Sequence, residues 1–389
     1  MDEIRALPWN GYNAVSTFSG CGGSSTGYRM AGFKVRWASE FIPAAQDSYR
    51  ANMAPYTVLD TRDIRKVQPE DILRASGLDK GEIDLFDGSP PCAAFSTAGK
   101  REAGWGKVKK YSDTEQRVDD LFHEFARLVK GTQPRVFIAE NVSGLVKGTA
   151  KGYFLEILAA LKACGYRVSA KVLDAQWLGV PQARQRLIFC GVREDLRGVD
   201  GRPLQPVHPA PLAYQYTVRD ALPWVRQQGD NGGFGGGGMQ DAALYPSPTI
   251  GASTQTGNGR YPASKIEVEA DISRYAIGAE WDKLAEGGQS ERYFQLVKPS
   301  LDAPSPCVTQ RGGDRGDASV THPTERRKFS IAELKRICGF PDDYILTGTY
   351  AQQWERCGRA VPPVMMSYIA ATAKGILDAA RAGDQARAA

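Results

Sequence analysis

The sequence predicts an α/β fold, a Rossmann-like and mostly parallel sheet joined to a smaller, irregular, β-rich region. Three observations predict it. Short apolar runs alternate with amphipathic stretches through the first half of the chain. A glycine turn, Gly20-Cys21-Gly22-Gly23, separates the first strand from the first helix. Near residue 195 the alternation stops, and proline, glycine, serine and threonine take over. The expected organisation is a large domain over 1–195, a small domain over 196–356, and a segment over 357–389 whose helix returns to the large domain.

Bulk properties narrow the function classes. The chain has 389 residues and a net charge of +5, a lean toward a polyanionic partner. Its seven cysteines form no CxxC pair, and its three histidines are far apart in sequence. That argues against a disulfide framework, a zinc site or a Ser-His-Asp triad, and no metal is expected. No apolar run approaches a membrane span, and Met1-Asp2-Glu3 lacks the basic-then-apolar layout of a signal peptide. A cytoplasmic protein, away from the membrane, is the expectation.

The elements follow in order. Tyr12 to Phe18 reads as a strand, and the glycines after it let a ligand approach the backbone at a helix N-terminus. A second strand, Lys34 to Ser39, ends in Glu40 at the distance where Rossmann folds place an acid against ribose hydroxyls, with Phe41 next to stack on a base. Val58-Leu59 leads to Asp63-Ile64, another acid beyond a strand end. Ile83 to Phe86 is a buried strand that Pro90-Pro91 stops just before Cys92, which places a thiol on a rigid corner. The basic, glycine-bearing stretch after it, including Lys100 and Arg101, suits a loop closing over a phosphate backbone. Leu121 to Val129 marks a helix face, and Arg135 to Ala139 is a strand that delivers Glu140-Asn141-Val142. Phe154 to Leu161 is a further helix face, and Tyr166 to Leu173 a strand. Gln182, Arg184 and Arg186 alternate along extended chain before the strand Leu187 to Cys190, so they share one face. Helices are expected again over Ser330 to Cys338 and Val364 to Ala380.

In this order the segments resemble the motifs of the cytosine-C5 DNA methyltransferases: Phe18-Ser19-Gly20-Cys21-Gly22-Gly23, Glu40, Asp63, Pro90-Pro91-Cys92, Glu140-Asn141-Val142, Gln182 to Arg186, Gly339-Phe340-Pro341 and Gly358-Arg359-Ala360-Val361-Pro362-Pro363. The resemblance covers nearly the whole chain outside a variable target-recognition region. It implies a class I methyltransferase fold and, as cofactor, S-adenosylmethionine. It implies a cofactor site of Phe18, Gly20, Gly22, Gly23, Glu40, Phe41, Asp63, Ile64, Pro90, Arg359 and Val361. Cys92, Glu140, Arg184 and Arg186 would be catalytic, and Ser96, Lys100, Arg101 and Gln182 would contact DNA. The implied partner is double-stranded DNA with a flipped-out cytosine, bound by a monomer, in restriction-modification or phage self-protection. An RNA substrate and a catalytically silent DNA-binding protein are the other readings.

Three departures stand out. Ala93 replaces the usual glutamine after the cysteine, and Ser16-Thr17 replaces the usual Asp-Leu before Phe18. Arg359 replaces the usual asparagine of the last motif. A guanidinium there could pair with a local acid such as Glu355, or grip a carboxylate on the donor. The second case implies carboxy-S-adenosylmethionine as cofactor and 5-carboxymethylcytosine as product.

Overall fold

The computed structural model describes residues 1–91, 109–111, 114–116, 120–147, 150–225, 270–314 and 316–388. Its strands are β1 (Asn13–Thr17), β2 (Lys34–Ser39), β3 (Val58–Asp60), β4 (Leu85–Gly88), the short antiparallel pair β5 (Lys109–Tyr111) and β6 (Thr114–Gln116), then β7 (Val136–Val142), β8 (Tyr166–Asp174) and β9 (Gln185–Arg193). Seven of them form one sheet in the order β3-β2-β1-β4-β7-β9-β8. All pairings are parallel except those of β9, which runs antiparallel to both neighbours. The chain leaves β1 toward β2 and β3 on one side and returns as β4 on the other. This is a topological switch point, and ligands of open α/β sheets bind outside the carboxyl ends of the strands that flank it.

The helices are α1 (Asp2–Ala6), α2 (Gly23–Met30), α3 (Pro43–Asn52), α4 (Pro69–Ser76), α5 (Leu121–Thr132), α6 (Lys151–Lys162), α7 (Val218–Ala221), α8 (Ala276–Trp281), α9 (Ile331–Ile337), α10 (Tyr350–Arg359) and α11 (Pro363–Ala388). Alternate residues of the central strands divide between two cores, as the period of two in a strand requires. Ala14, Leu85, Ile138 and Ile188 point to the face covered by α2 and α11. Val15, Phe86, Phe137 and Phe189 point to the face covered by α4, α5 and α6. The stretch Tyr350–Ala388 has the length and apolarity of a membrane span, which the sequence reading did not anticipate. In the structure Met365, Met366, Ile369, Ala373, Ile376 and Leu377 of α11 are buried in the first core, the pattern of a core helix. A third core joins Val218, Leu301, Val308, Phe329, Leu334 and Trp354 to Cys21 of the glycine turn. Beyond residue 196, strand pairing among the described residues is confined to isolated bridges.

One carboxylate sits inside the sheet. Asp87 of β4 is 1% exposed and accepts from the hydroxyls of Ser16 on β1, at 2.8 Å, and Tyr28 on α2, at 2.7 Å. Ser16 takes the place of the acid usual at that point of β1, and the pair Ser16–Asp87 is in register across the two strands. Burial pushes the Asp87 carboxyl up to about 7, against the pull of the Tyr28 and Ser16 hydroxyls. The folded protein therefore keeps a proton that the unfolded chain, with a carboxyl near ~3.9, has already released. Stability falls as pH rises from about 4 to about 7 and levels off above that. Asp87→Asn is expected to remove the slope, gaining on the order of 2–3 kcal/mol relative to wild type between about pH 5 and pH 8. Thermal unfolding of both proteins across that range checks this, and parallel curves would contradict it.

Candidate active site

The sheet delivers its chemical groups to one edge. After β1 the chain bends sharply at Phe18, a non-glycine residue with φ 53°, and continues through Gly20 and Gly22, also with positive φ. The amide of Gly20 donates to the Glu40 carboxylate at 2.7 Å, and the amide of Ile42 donates to its other oxygen at 2.7 Å. The Gln46 side-chain amide holds the Glu40 carbonyl at 2.9 Å. Glu40 is buried, which pushes its carboxyl above the ordinary value while the two amides oppose the shift. A side chain on Gly23 would overlap the carbonyl of Val361, so glycine is what lets the last motif close against the start of α2. Asp63 caps the turn after it, accepting from the Arg65 amide at 3.1 Å and pairing with the Arg65 guanidinium at 3.2 Å, and Ile64 is buried beside it. Phe41 is half-buried.

The proline corner is braced from the next strand. Asn141 donates from its side-chain amide to the carbonyl of Pro90 at 3.1 Å, and its oxygen accepts from the Val142 amide at 2.8 Å. Pro90 is thereby fixed at the end of β4. Cys92, Ser96, Lys100 and Arg101 lie outside the described residues. One residue before Asn141, the Glu140 carboxylate pairs with Arg186 Nε at 2.6 Å across the β7–β9 pairing. Both side chains are largely buried, 11% and 14% exposed. Burial lowers the Arg186 pKa, neighbouring Arg184 lowers it further, and Glu140 opposes both.

Arg184 takes a different part. Its side chain is 1% exposed and donates to the carbonyls of Val308, at 3.0 Å, and Gly358, at 2.9 Å. Its Nε is buried without a hydrogen-bond partner among the described residues. It thus binds backbone from two distant segments, while Arg186 binds the Glu140 side chain. Arg359 pairs with Glu355 one helical turn back on α10, at 2.8 Å, and Glu355 also meets Arg356 at 3.4 Å.

Gln182 corrects the sequence expectation. It shares a face with Arg184, but it is wholly buried, and its amide donates to the Ile337 carbonyl and the Cys338 sulfur, each at 3.3 Å. Its oxygen accepts from the Val308 amide at 3.3 Å. Its oxygen keeps one acceptor site, but the whole side chain is buried, away from any surface that DNA could meet. Alternation gives the side of a strand but not what covers that side. The sequence reading noted Ser16 only as a departure and gave its partners Asp87 and Tyr28 no role, although an acid directly after a buried apolar run was the signal. No group of three or more His, Cys, Asp or Glu side chains that could hold a metal occurs among the described residues.

Residues 12–375 match the family model described as C-5 cytosine-specific DNA methylase. The chain belongs to this family. It is 30% identical over 361 residues to the Type II methyltransferase M1.HphI of Haemophilus parahaemolyticus, covering 92% of this chain and 85% of the relative. To M.NgoPII of Neisseria gonorrhoeae it is 27% identical, covering 97% of this chain and all of the relative. In fold it resembles a prophage-encoded protein of Escherichia coli described as a DNA modification methyltransferase, with a TM-score of 0.64 and 20% identity over 94% of this chain and 99% of that one. DNMT2 of Spodoptera frugiperda aligns with a TM-score of 0.60 and 16% identity over 93% and 99%.

The burial of Gln182 has a measurable consequence. Gln182→Ala is expected to cost on the order of 1–3 kcal/mol of stability, since the Val308 amide loses its acceptor. The affinity for DNA at fixed salt is expected to stay unchanged, and weaker binding by the folded variant would return Gln182 to the DNA surface.

Proposed function

We propose that this protein transfers a methyl group from S-adenosylmethionine to C5 of a flipped-out cytosine in duplex DNA, through a covalent adduct at Cys92, giving 5-methylcytosine. The observation that carries the reading is the Glu140–Arg186 pair, held 2.6 Å apart beside the braced Pro90 corner that leads to Cys92. A carboxyl group and a guanidinium so placed can meet the N3/N4 edge and the ring oxygen of a cytosine taken out of the stack.

The residues present fit the cofactor. Glu40 spends one acceptor site on each oxygen on Gly20 and Ile42, which leaves one on each for a pair of vicinal hydroxyls. Phe41, Asp63, Ile64 and the amides of the Gly20–Gly23 turn would hold the rest of the nucleoside, with Phe18, Pro90 and Val361 near the amino-acid end. When bound, S-adenosylmethionine supplies an electrophilic methyl carbon.

The protein's part is to make C5 nucleophilic. The Cys92 thiolate adds to C6, and the ring π-electrons shift toward C5 and N3. Glu140, in its acid form, donates to N3 as negative charge develops there and accepts from the N4 amino group, and Arg186 holds the ring oxygen. Arg184 fixes the geometry of this edge from below through Val308 and Gly358. After C5 is methylated, loss of its proton to a base and departure of the Cys92 thiolate restore the aromatic ring.

Arg359 bears on the choice of donor. Its pairing with Glu355 supplies the local counter-charge that the ordinary donor requires, and it supports methyl over carboxymethyl transfer. The test offers the protein duplex DNA with equimolar S-adenosylmethionine and carboxy-S-adenosylmethionine, followed by digestion to nucleosides and mass spectrometry. The expected product is 5-methylcytosine from wild type, with the same donor preference in Arg359→Asn. Predominant 5-carboxymethylcytosine from wild type, lost in Arg359→Asn, would overturn the methyl reading and make Arg359 the donor-selecting residue.

A further inference from the structure

The segment Val308–Asp314 leaves directly from the catalytic edge. Its first carbonyl, Val308, accepts from Arg184, and Arg186 two residues further along the same strand pairs with Glu140. Arg311 is three residues from Val308, within about 10 Å of chain.

This loop is fixed from beneath to a degree unusual for an exposed segment. Lys328 is fully buried, and its ammonium donates to the carbonyls of both Gly312 and Asp314. Burial pulls the Lys328 pKa down to about 8, a cost that the nearby Asp317 and Asp314 charges only partly offset. The same ammonium lies 5.9 Å from the ring centroid of Trp354, whose indole N–H donates to the Thr309 carbonyl at 3.1 Å. A side chain at Gly358 would overlap the Thr309 backbone, so α10 lies flush against the base of the loop. The Thr309 hydroxyl closes the turn by donating to the Arg311 carbonyl at 2.8 Å.

What the loop presents is polar and unspent. Gln310 and Arg311 are both exposed, and neither side chain makes a hydrogen bond or ion pair among the described residues. A phosphate contact needs only charge, and a mobile loop supplies it well. A base edge in the major groove demands a fixed donor fork, and the pair in which arginine meets O6 and N7 of guanine is the most common specific contact. The buried lysine, the indole and the flush glycine are spent on holding one backbone geometry, which suits the second task.

We propose that Arg311 is a specificity-determining residue that reads a guanine next to the target cytosine, and that Lys328 is the positioning residue that holds its loop. The inference rests on the cytosine-methylation reading above. It assigns a base-reading role outside the basic stretch that follows Cys92.

The experiment methylates a plasmid library randomised around cytosine and maps 5-methylcytosine by conversion sequencing, for wild type, Arg311→Ala and Lys328→Met, with thermal unfolding of each. Wild type is expected to require a G·C pair at a neighbouring position. Arg311→Ala is expected to lose roughly tenfold or more of its discrimination at that one position, with an unchanged melting temperature. Lys328→Met should loosen the same position and also melt lower. If Arg311→Ala keeps the full wild-type context, or weakens uniformly across all contexts as a phosphate contact would, the base-reading role is overturned. If Lys328→Met folds and keeps the wild-type context, the positioning role is overturned. A wild-type protein that modifies no cytosine in any context refutes the methylation reading itself, a result distinct from either of these.

Discussion

One buried guanidinium joins the parts of this protein that its chemistry needs together. Arg184 stands immediately before β9 and donates to Val308, 124 residues away, and to Gly358, 174 residues away. Through Val308 it sets the root of an exposed loop, and through Gly358 it sets the last motif, whose Val361 carbonyl lies against Gly23 of the glycine turn. Burying an arginine is costly, and removing its partners would strand the charge. The three segments are therefore tied to one geometry rather than loosely apposed. Its sequence neighbour two residues on, Arg186, is left to the Glu140 carboxylate, so one short stretch of chain supplies both a strut and the partner of Glu140.

The large half of the molecule was largely legible from sequence because its signals are local. The limits of β2, Lys34–Ser39, coincide with those read from the pattern. Glu40 and Pro90 stand just beyond strand ends, where a polar residue or a proline interrupts an apolar run, whereas β7 runs on past Ala139 to Val142 and carries Glu140 within it. What was not legible depends on partners far away in the chain. The helix Tyr350–Arg359 is a different case: Tyr350, Trp354 and Cys357 recur at helical spacing behind a Thr349/Gln352 capping box, so it was legible and went unread. The burial of Gln182 depends on Ile337, Cys338 and Val308, none of which its own segment announces.

Asp87 shows the same lesson in electrostatics. The acid usual on β1 is absent, and a carboxylate appears instead on β4, opposite Ser16 and within reach of Tyr28. Read strand by strand, Ser16 and Asp87 are unrelated residues. Paired in the sheet, they place a buried carboxyl with two hydroxyl donors between β1, β4 and α2, just below the strand ends that form the site. The cost of burying it is a raised pKa, and the return is a hydrogen-bonded link across the switch point.

The central claim is that this edge of the sheet carries out covalent chemistry on a cytosine. Its most direct test is to incubate wild type and Cys92→Ala with duplex DNA containing 5-fluorocytosine and S-adenosylmethionine, and to look for a denaturation-resistant protein–DNA complex. The account predicts a trapped complex for wild type and none for Cys92→Ala, because fluorine at C5 blocks the elimination that releases the thiolate. A complex that survives the loss of Cys92, or no complex with wild type on DNA that it methylates, would contradict it.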